Sequence, residues 1–250
     1  MCLELHELIR RAEDLARKCE RKNSITCSNF LTPAEQLQLE QQFQHHPDVR
    51  LVFFGGHPDC ERKLAFFLPD WVEDELPDTS NEIKAIRLEA HFGAPGHRDY
   101  LGALLGMGIG REWLGDIWVR GEETVVFCRP GILRHLIGIE KVGRISVTAQ
   151  EIALEAVPSP EVQKKQITFS VMSPRLDAVV AGIFRISRSE AARKIALGLV
   201  AVNYTEMGKP DFLVREGDVI SLRGAGKGKL LESGGTSRKG RTFMTAERLL

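Results

Sequence analysis

The sequence lacks the features that mark membrane-spanning, secreted and metal-stabilised proteins. It contains no apolar run of about 18 residues, the least that spans a bilayer as a helix. Residues 1–20 show the spacing of an amphipathic helix without the apolar block of a signal peptide. The five cysteines are odd in number, spread along the chain and never arranged as C-x-x-C, which excludes a disulfide framework and a zinc knuckle. We therefore expect a cytoplasmic protein without a membrane span, whose cysteines are reduced and mostly buried.

The composition also gives no sign of a metal or another cofactor. The seven histidines show no spacing typical of a metal site. At 250 residues, with 43% hydrophobic and 27% charged residues, the chain is long enough to bury its own core without such a staple. We expect neither a bound metal nor any other cofactor.

Charge is divided unevenly along a chain whose net charge is zero. Of the 34 Lys and Arg and the 34 Asp and Glu, 14 basic and 8 acidic residues lie from Ser173 onward. This segment therefore carries a net charge of +6, and the residues before it carry −6. A basic C-terminal third favours a polyanionic partner, of which nucleic acid is the commonest.

Residues 1–76 are predicted to form a helical N-terminal domain with a small β unit. Apolar residues in 5–19 recur at the three-and-four spacing of one buried helix face. Thr32 is placed to cap a second helix, and Glu35 stands at the position that completes a capping box. Two strand-like runs and an acidic linker follow, at 49–54, 64–68 and 70–78.

Residues 77–157 are predicted to form a central domain with the element order βαββαβ. This is the split βαβ, ferredoxin-like layout, in which two helices cover one face of an antiparallel sheet and which many RNA-recognition domains share. The third strand offers only Phe127 for stacking on bases, so the sheet is a weak candidate for base recognition. The predicted elements are strands at 83–92, 114–119, 124–128 and 144–148 and helices at 98–107 and 131–139.

Residues 173–250 are predicted to form a third, basic domain. The Pro-containing stretch from residue 157 to it is typical of a linker, and the Gly-, Ser- and Lys-rich stretch 224–241 favours mobility. Two short helices, the second capped by Ser187 with Glu190 reaching back, are expected to lean on short strands. The whole chain is therefore predicted to be a multidomain α+β protein. The candidate phosphate-binding residues are Arg175, Arg185, Ser187, Arg188, Ser189, Arg193, Lys194, Lys209, Arg223, Lys227, Arg238, Lys239 and Arg241.

This basic segment closely resembles the S4 RNA-binding domain. The similarity rests on an R-L-D triplet at 175–177, I-S-R-S at 186–189, G-x-V-x-V-N at 198–203, Lys209-Pro210 and G-D-x-I at 217–220. Position 204 is Tyr where that family usually has Gly, so the turn after Asn203 is expected to differ.

Further motifs, spread over nearly the whole chain, resemble the YlmH family, whose cyanobacterial and plastid members are called photosystem II S4 domain proteins. They are G-G-H-x-x-x-E-R at 55–62, H-R-D-Y-L-G at 97–102, R-E-x-x-G-D at 111–116 and R-K-G-R at 238–241. The resemblance implies a helical N-terminal domain, an RNA-recognition-like central domain and a C-terminal S4 domain. It also implies association with the large ribosomal subunit, including stalled subunits that still hold peptidyl-tRNA, in ribosome-associated quality control.

Three hypotheses follow from the residues and the resemblance together. The first is a non-catalytic, monomeric factor that binds structured rRNA and tRNA on the large ribosomal subunit. The second is an adaptor in photosystem II assembly or cell division with secondary RNA binding. The third is an RNA-modifying enzyme, which the chain has no catalytic domain to support.

Three motifs imitate enzyme signatures in the wrong context. The H-R-D at 97–99 resembles a kinase catalytic loop, but neither the following asparagine nor a Gly-rich phosphate loop is present, so we expect it to start a helix with Asp99 near the positive end. The G-x-G-x-G at 106–110 follows a predicted helix instead of leading into one. Pseudouridine synthases also carry R-L-D, but their catalytic domain needs more chain than follows here, so Asp177 is expected to orient basic residues or cap its helix.

Overall fold

The computed structural model describes residues 2–46, 48–73, 78–160, 164–236 and 240–249. These residues form helices and antiparallel sheets that group into two compact units, one within 1–160 and one within 161–250. The predicted mixed class with several helices and antiparallel sheets is thereby confirmed. In the part of the chain that the structure describes, no helix has both the length and the apolar character to cross a membrane.

The first unit begins with a long amphipathic helix that packs on a small antiparallel sheet. Its buried face presents Ala12, Ala16 and Cys19 to that sheet. The second helix starts with the predicted capping box, in which Thr32 Oγ1 accepts from Glu35 N at 3.4 Å and Glu35 Oε2 accepts from Thr32 N at 2.6 Å. The elements are α1 (Cys2–Lys22), β1 (Thr26–Cys27), α2 (Pro33–Phe43), β2 (Arg50–Phe54) and β3 (Leu64–Leu68), with strand order β1-β3-β2.

The rest of the first unit is built on a second antiparallel sheet. Its elements are β4 (Lys84–His91), α3 (His97–Gly106), β5 (Leu114–Arg120), β6 (Glu123–Cys128), α4 (Leu133–Ile137), β7 (Lys141–Val142) and β8 (Ile145–Ile152), with strand order β5-β6-β4-β8-β7. The helix predicted at 131–139 is shorter than expected, because Pro130–Ile132 forms a 3-10 turn before α4. The strand predicted at 144–148 extends to Ile152 and pairs with the short β7.

The two faces of this sheet bury different partners. On one face, Ile86, Leu88 and Val126 pack with side chains of α3 and α4. On the other face, Phe127 is fully buried with Phe30 and Phe66, which lie before and within β3. Residues of the predicted N-terminal and central domains thus share one hydrophobic core, and Phe127 is covered within the unit.

The second unit is one antiparallel sheet covered by two short helices. The elements are β9 (Lys164–Val171), α5 (Leu176–Phe184), α6 (Arg188–Ala196), β10 (Val200–Val202), β11 (Thr205–Glu206), β12 (Val219–Leu222), β13 (Gly226–Thr236) and β14 (Thr242–Leu249), with strand order β11-β10-β12-β13-β14-β9. Its core joins Val179, Val180 and Ile183 of α5 to the inner face of the sheet.

Two expectations about irregular segments are wrong. The predicted linker contains β9, which pairs with β14 over the whole length of the strand. Most of the predicted mobile stretch, 226–236, forms β13, which pairs with β12 and β14. One glycine of this stretch serves close packing, since a Cβ at Gly228 would lie 2.6 Å from Ile183 Cγ2.

Candidate nucleic-acid interface

The connection between α5 and α6 fixes the direction of the basic side chains around it. Arg185 ends α5 in the left-handed region, with φ 56° and ψ 46°. Ser187 then caps α6, because its Oγ accepts from Glu190 N at 3.1 Å and lies 3.0 Å from Ser189 Oγ. The predicted cap is confirmed, but the described structure lacks the second half of the box. The Glu190 carboxylate lies 3.6 Å from Lys194 Nζ.

A buried carboxylate holds two arginines at the start of these helices. Arg188 Nη2 donates to Asp177 Oδ2 at 2.7 Å, and Arg175 Nε donates to Asp177 Oδ1 at 3.3 Å. The Asp177 side chain is 10% exposed, whereas those of Arg175 and Arg188 are 40% and 57% exposed. We call these three residues the Asp177 corner. Asp177 orients the two guanidiniums and leaves much of each in solvent.

The ionisation of Asp177 follows from the same contacts. Burial alone raises the pKa of a carboxyl group, but the hydrogen bonds and the positive charges of Arg188 and Arg175 outweigh burial and lower the pKa of Asp177 below its ordinary value. Asp177 is therefore a carboxylate at neutral pH, which suits it to hold two cations.

A backbone clasp brings Lys209 next to the Asp177 corner. Asp177 N donates to Pro210 O at 3.0 Å, and Leu176 N donates to Phe212 O at 2.8 Å. Because Lys209 directly precedes Pro210, its exposed side chain starts beside the corner. The structure thus assembles three of the predicted cations at the first end of α6.

Further predicted cations gather at the other end of α6. Arg193 and Lys194 lie in its last turn, and the chain continues to Leu199, whose carbonyl accepts from Arg223 N at 2.9 Å. Arg223, Lys227 and Tyr204 line one hollow of about 410 Å³, which we call the Tyr204 hollow. Lys227 Nζ lies 5.3 Å from the centre of the Tyr204 ring. A nine-residue helix is about 13 Å long, so α6 separates the corner from the hollow by roughly that distance.

The sequence motif drew attention to Tyr204 only because the S4 family usually has glycine at this position. Asn203 and Tyr204 connect β10 with β11, and both have positive φ, 47° and 64°. A two-residue hairpin of this kind needs positive φ at both positions, where glycine is usually favoured. The turn is therefore kept in spite of the tyrosine. The sequence feature that could have indicated a binding role for Tyr204 is the presence of a bulky residue at a position that favours glycine.

The remaining predicted residues lie apart from these two groups or outside the description. Arg241 Nε donates to Ser170 Oγ at 3.1 Å, which places it between β14 and β9. Arg238 and Lys239 lie outside the described residues.

The polar motifs of the first unit are engaged with its own backbone. Asp116 accepts from the backbone N–H groups of Glu61 and Arg62 at 2.6 and 3.0 Å. Arg62 donates to the carbonyls of Phe30 and Leu114, each at 3.0 Å, and to that of Arg111 at 3.3 Å. These contacts join the segment before β3 to the segment 111–116 at the start of β5, so the motif residues stabilise the unit.

Arg111 and Asp99, two more residues of the sequence motifs, also contact the backbone of the first unit. Arg111 Nη1 donates to Leu114 O and Gly115 O, and burial together with the charge of Arg62 lowers the pKa of Arg111 to about 10. In the H-R-D triplet, Asp99 accepts from Gly96 N at 2.8 Å and caps α3, as predicted.

Three potential metal ligands also meet in the first unit. Side-chain atoms of Glu20, His46 and Asp48 lie within 4.8 Å of one another. His46 Nε2 is 3.6 Å from Glu20 Oε1, so this contact connects the segment after α2 to α1. The absence of a metal stays a prediction.

Comparison with known proteins places the chain in a family. Residues 4–67 match a family model described as "YlmH, N-terminal", and residues 76–156 match one described as "Putative RNA-binding domain in YlmH". A protein of Bacillus subtilis (strain 168), named ribosome-associated protein quality control protein P2, is 31% identical over 242 residues, 96% of this chain and 93% of that protein. The chain belongs to the YlmH family. The resemblance to the YlmH family is confirmed.

Within the YlmH family, a solved structure gives the same fold over part of the chain. It is titled cell division protein YlmH from Streptococcus pneumoniae, and it aligns with 62% of this chain and 95% of its own at a TM-score of 0.54 and 20% identity. The two matched YlmH models lie in the first unit, whereas the Bacillus relative extends over nearly the whole chain.

Proposed function

We propose that this protein is a non-catalytic RNA-binding factor that holds structured rRNA, together with tRNA, on the large ribosomal subunit. It would act as a monomer in the cytoplasm, in ribosome-associated quality control. The observation that carries the proposal is the Asp177 corner, where one buried carboxylate orients two half-exposed guanidiniums.

Preorganised guanidiniums are suited to phosphate. A guanidinium presents planar pairs of N–H donors that match phosphate oxygens, and a side chain already held in place loses less entropy on binding. Arg175 and Arg188 each use one side of the guanidinium on Asp177 and keep the rest exposed. The hydroxyls of Ser187 and Ser189 and the start of α6 add hydrogen-bond donors beside them. The corner thus fits a folded phosphate backbone.

Two fold interpretations support this proposal. The strand order β5-β6-β4-β8 with α3 and α4 on one face is the order expected of a ferredoxin-like domain. The left-handed Arg185 between two short helices, followed by a short β hairpin, suits an S4 domain. We propose both assignments for the central and C-terminal parts.

The ribosomal part of the proposal rests on the relatives. The Bacillus protein is named for ribosome-associated quality control, and one matched family model is described by RNA binding. The non-catalytic part is supported by the use of the motif residues Arg62, Arg111 and Asp116 in backbone contacts. Burial also raises the pKa of the Cys27 thiol to about 11, which makes it a poor nucleophile at neutral pH.

Gradient fractionation with crosslinking tests the proposed function. The full chain should sediment with large ribosomal subunits and crosslink to rRNA, and Arg175→Ala with Arg188→Ala should move most of it to the top of the gradient. Lys165→Ala with Lys229→Ala removes the same charge from other strands of the second unit and should leave sedimentation unchanged. Equal losses in both double variants would contradict a specific site, and recovery only with membranes or division assemblies would favour an adaptor.

A further inference from the structure

Phe92 is an aromatic side chain held in solvent by a strained backbone. It follows β4 directly, its side chain is fully exposed, and its φ is +61°. A bulky residue seldom adopts the left-handed region, and an exposed phenyl ring gains nothing from burial. The strained backbone costs stability and the exposed ring contributes none, and such strained positions concentrate at ligand-binding and functional sites.

The loop that carries Phe92 is fixed against the neighbouring strand. Gly93 has φ +150°, and a Cβ there would lie 2.8 Å from Ile145 Cδ1 at the start of β8. Phe92 is therefore anchored next to the turn between β7 and β8. The exposed Arg144 belongs to that turn.

The strand register places polar groups beside this ring. His91, Ser146 and Lys141 stand directly opposite one another on β4, β8 and β7. The next residues along β7 and β8, Val142 and Val147, pack in the core beneath α3 and α4. Because successive side chains of a strand point to opposite faces, the side chains of Lys141, Ser146 and His91 point away from the helices. His91 Nε2 lies 2.6 Å from Thr148 Oγ1 on the same face. Lys141 and Arg144 therefore place positive charge at the Phe92 end of this face. The acidic Glu89 lies two residues back along β4.

The usual stacking position of such a sheet is closed. Phe127 on β6 is fully buried and meets Trp118 edge to face at 4.9 Å between ring centres. In the range that matches the RNA-binding family model, Phe92 is the fully exposed aromatic among the described residues.

We propose that Phe92 stacks on an unpaired base of the bound RNA, while Lys141 and Arg144 contact the adjoining phosphates. The proposal rests on the proposed function and adds a second RNA contact, in the first unit. A nucleotide suits this site because a base stacks on an exposed ring and its phosphates need nearby cations. A protein partner would instead favour an apolar neighbourhood. The residues that the register and the β7–β8 turn place near Phe92, namely His91, Lys141 and Arg144, are polar.

Fluorescence of a stacked base analogue tests the contact. The probe is an RNA hairpin with a single-stranded extension that carries one 2-aminopurine, mixed with the full chain. Stacking on Phe92 should quench the probe, and Phe92→Ala should abolish the quenching and lower affinity about 5- to 100-fold. Phe92→Trp should keep both, whereas Phe92→Leu, which is apolar without a ring, should lose both. Phe243→Ala, at a partly exposed phenylalanine of β14, should change neither.

Crosslinking on the subunit itself distinguishes the kinds of partner. A benzoylphenylalanine at position 92 of the full chain, bound to large ribosomal subunits and irradiated, should yield RNA adducts. Adducts only with protein would overturn the Phe92 contact. The contact would also be overturned if Phe92→Ala left quenching and affinity unchanged while Arg175→Ala with Arg188→Ala still weakened binding. Either result would leave the proposed function intact. Failure of the wild-type chain to bind either RNA would overturn the proposed function.

Discussion

Three arginines of the first unit and the arginines of the Asp177 corner in the second unit differ in what they contact. In the first unit, Arg62 and Arg111 donate to backbone carbonyls, and Arg129 donates to the Glu82 carbonyl at 2.9 Å and pairs with its carboxylate at 2.8 Å. In the Asp177 corner, Arg175 and Arg188 meet one carboxylate and remain half exposed. The first arrangement stabilises a fold, whereas the second presents charge to solvent.

This difference shows why a count of charges does not locate a binding surface. The segment before Ser173 contains 20 Lys and Arg, more than the 14 that follow. The arginines that stabilise the fold differ from those of the Asp177 corner in the partner of each guanidinium and in its exposure. If this distinction is correct, substitution of Arg62, Arg111 or Arg129 should affect stability, and substitution of Arg175 or Arg188 should affect binding.

The largest expected effect is on the stability of the first unit. Arg62→Ala should lower its free energy of unfolding by about 3 kcal/mol, because buried carbonyls lose their donor. Arg62→Lys should recover only part of this, since an ammonium cannot reach the three carbonyls at once. Urea unfolding of the full chain measures both. A loss below about 1 kcal/mol would show that Arg62 is not structural.

Next in size is the effect of the corner on RNA affinity. Arg175→Ala with Arg188→Ala should weaken binding of structured RNA about 30- to 100-fold and reduce the slope of log affinity against log salt by about 2, because two phosphate contacts are lost. Filter binding at several salt concentrations measures both quantities, with circular dichroism as the control for folding. An unchanged slope would mean that these arginines do not contact phosphates.

The Asp177→Asn variant distinguishes the role of Asp177 in orienting the two arginines from the effect of its negative charge. It removes a negative charge from the site, so a purely electrostatic role predicts tighter RNA binding. Our account predicts binding about 10-fold weaker, because the two guanidiniums lose their anchor. Titration of labelled RNA with the variant decides between the two signs.

The same substitution has a predicted pH dependence. Since the fold lowers the pKa of Asp177, the stability from its ionised form is fully present above the ordinary aspartate pKa of about 3.9 and is lost as pH falls through the lower folded pKa. Asp177→Asn should therefore cost about 1–2 kcal/mol at neutral pH and progressively less in acid. Urea unfolding of both proteins at several pH values measures the gap, which should not widen as pH falls.

The smallest expected effect is at Tyr204. Glycine relieves the positive φ of the hairpin but removes the contact of Lys227 with the ring, so Tyr204→Gly should change stability by less than about 1 kcal/mol. Thermal unfolding measures the change. A larger loss would show that the ring packs as part of the core.

Local signals in the sequence predicted the local structure well. Thr32 and Glu35 predicted the start of α2, Ser187 predicted that of α6, and the apolar run 64–68 predicted β3. Of the two roles expected of Asp177, the structure shows the orientation of basic residues, since Arg175 and Arg188 both donate to it.

Non-local pairing was what the sequence concealed. The partner of β9 is β14, more than 70 residues later along the chain, and nothing within 164–171 indicates it. Glycines in 226–236 suggest mobility, although one of them is required by the approach of Ile183. The burial of Phe127 depends on Phe30 and Phe66, which a sequence pattern cannot place against it.

Binding of the separate units to large ribosomal subunits tests the central claim most directly. The cut belongs between 160 and 161, because β9 is a strand of the second unit and each unit has its own core. After circular dichroism has shown that both fragments fold, residues 161–250 should bind the subunits with most of the affinity of the full chain, and residues 1–160 only weakly. Binding by residues 1–160 as tight as that of the full chain would contradict the account, because the Asp177 corner would then not be the anchor.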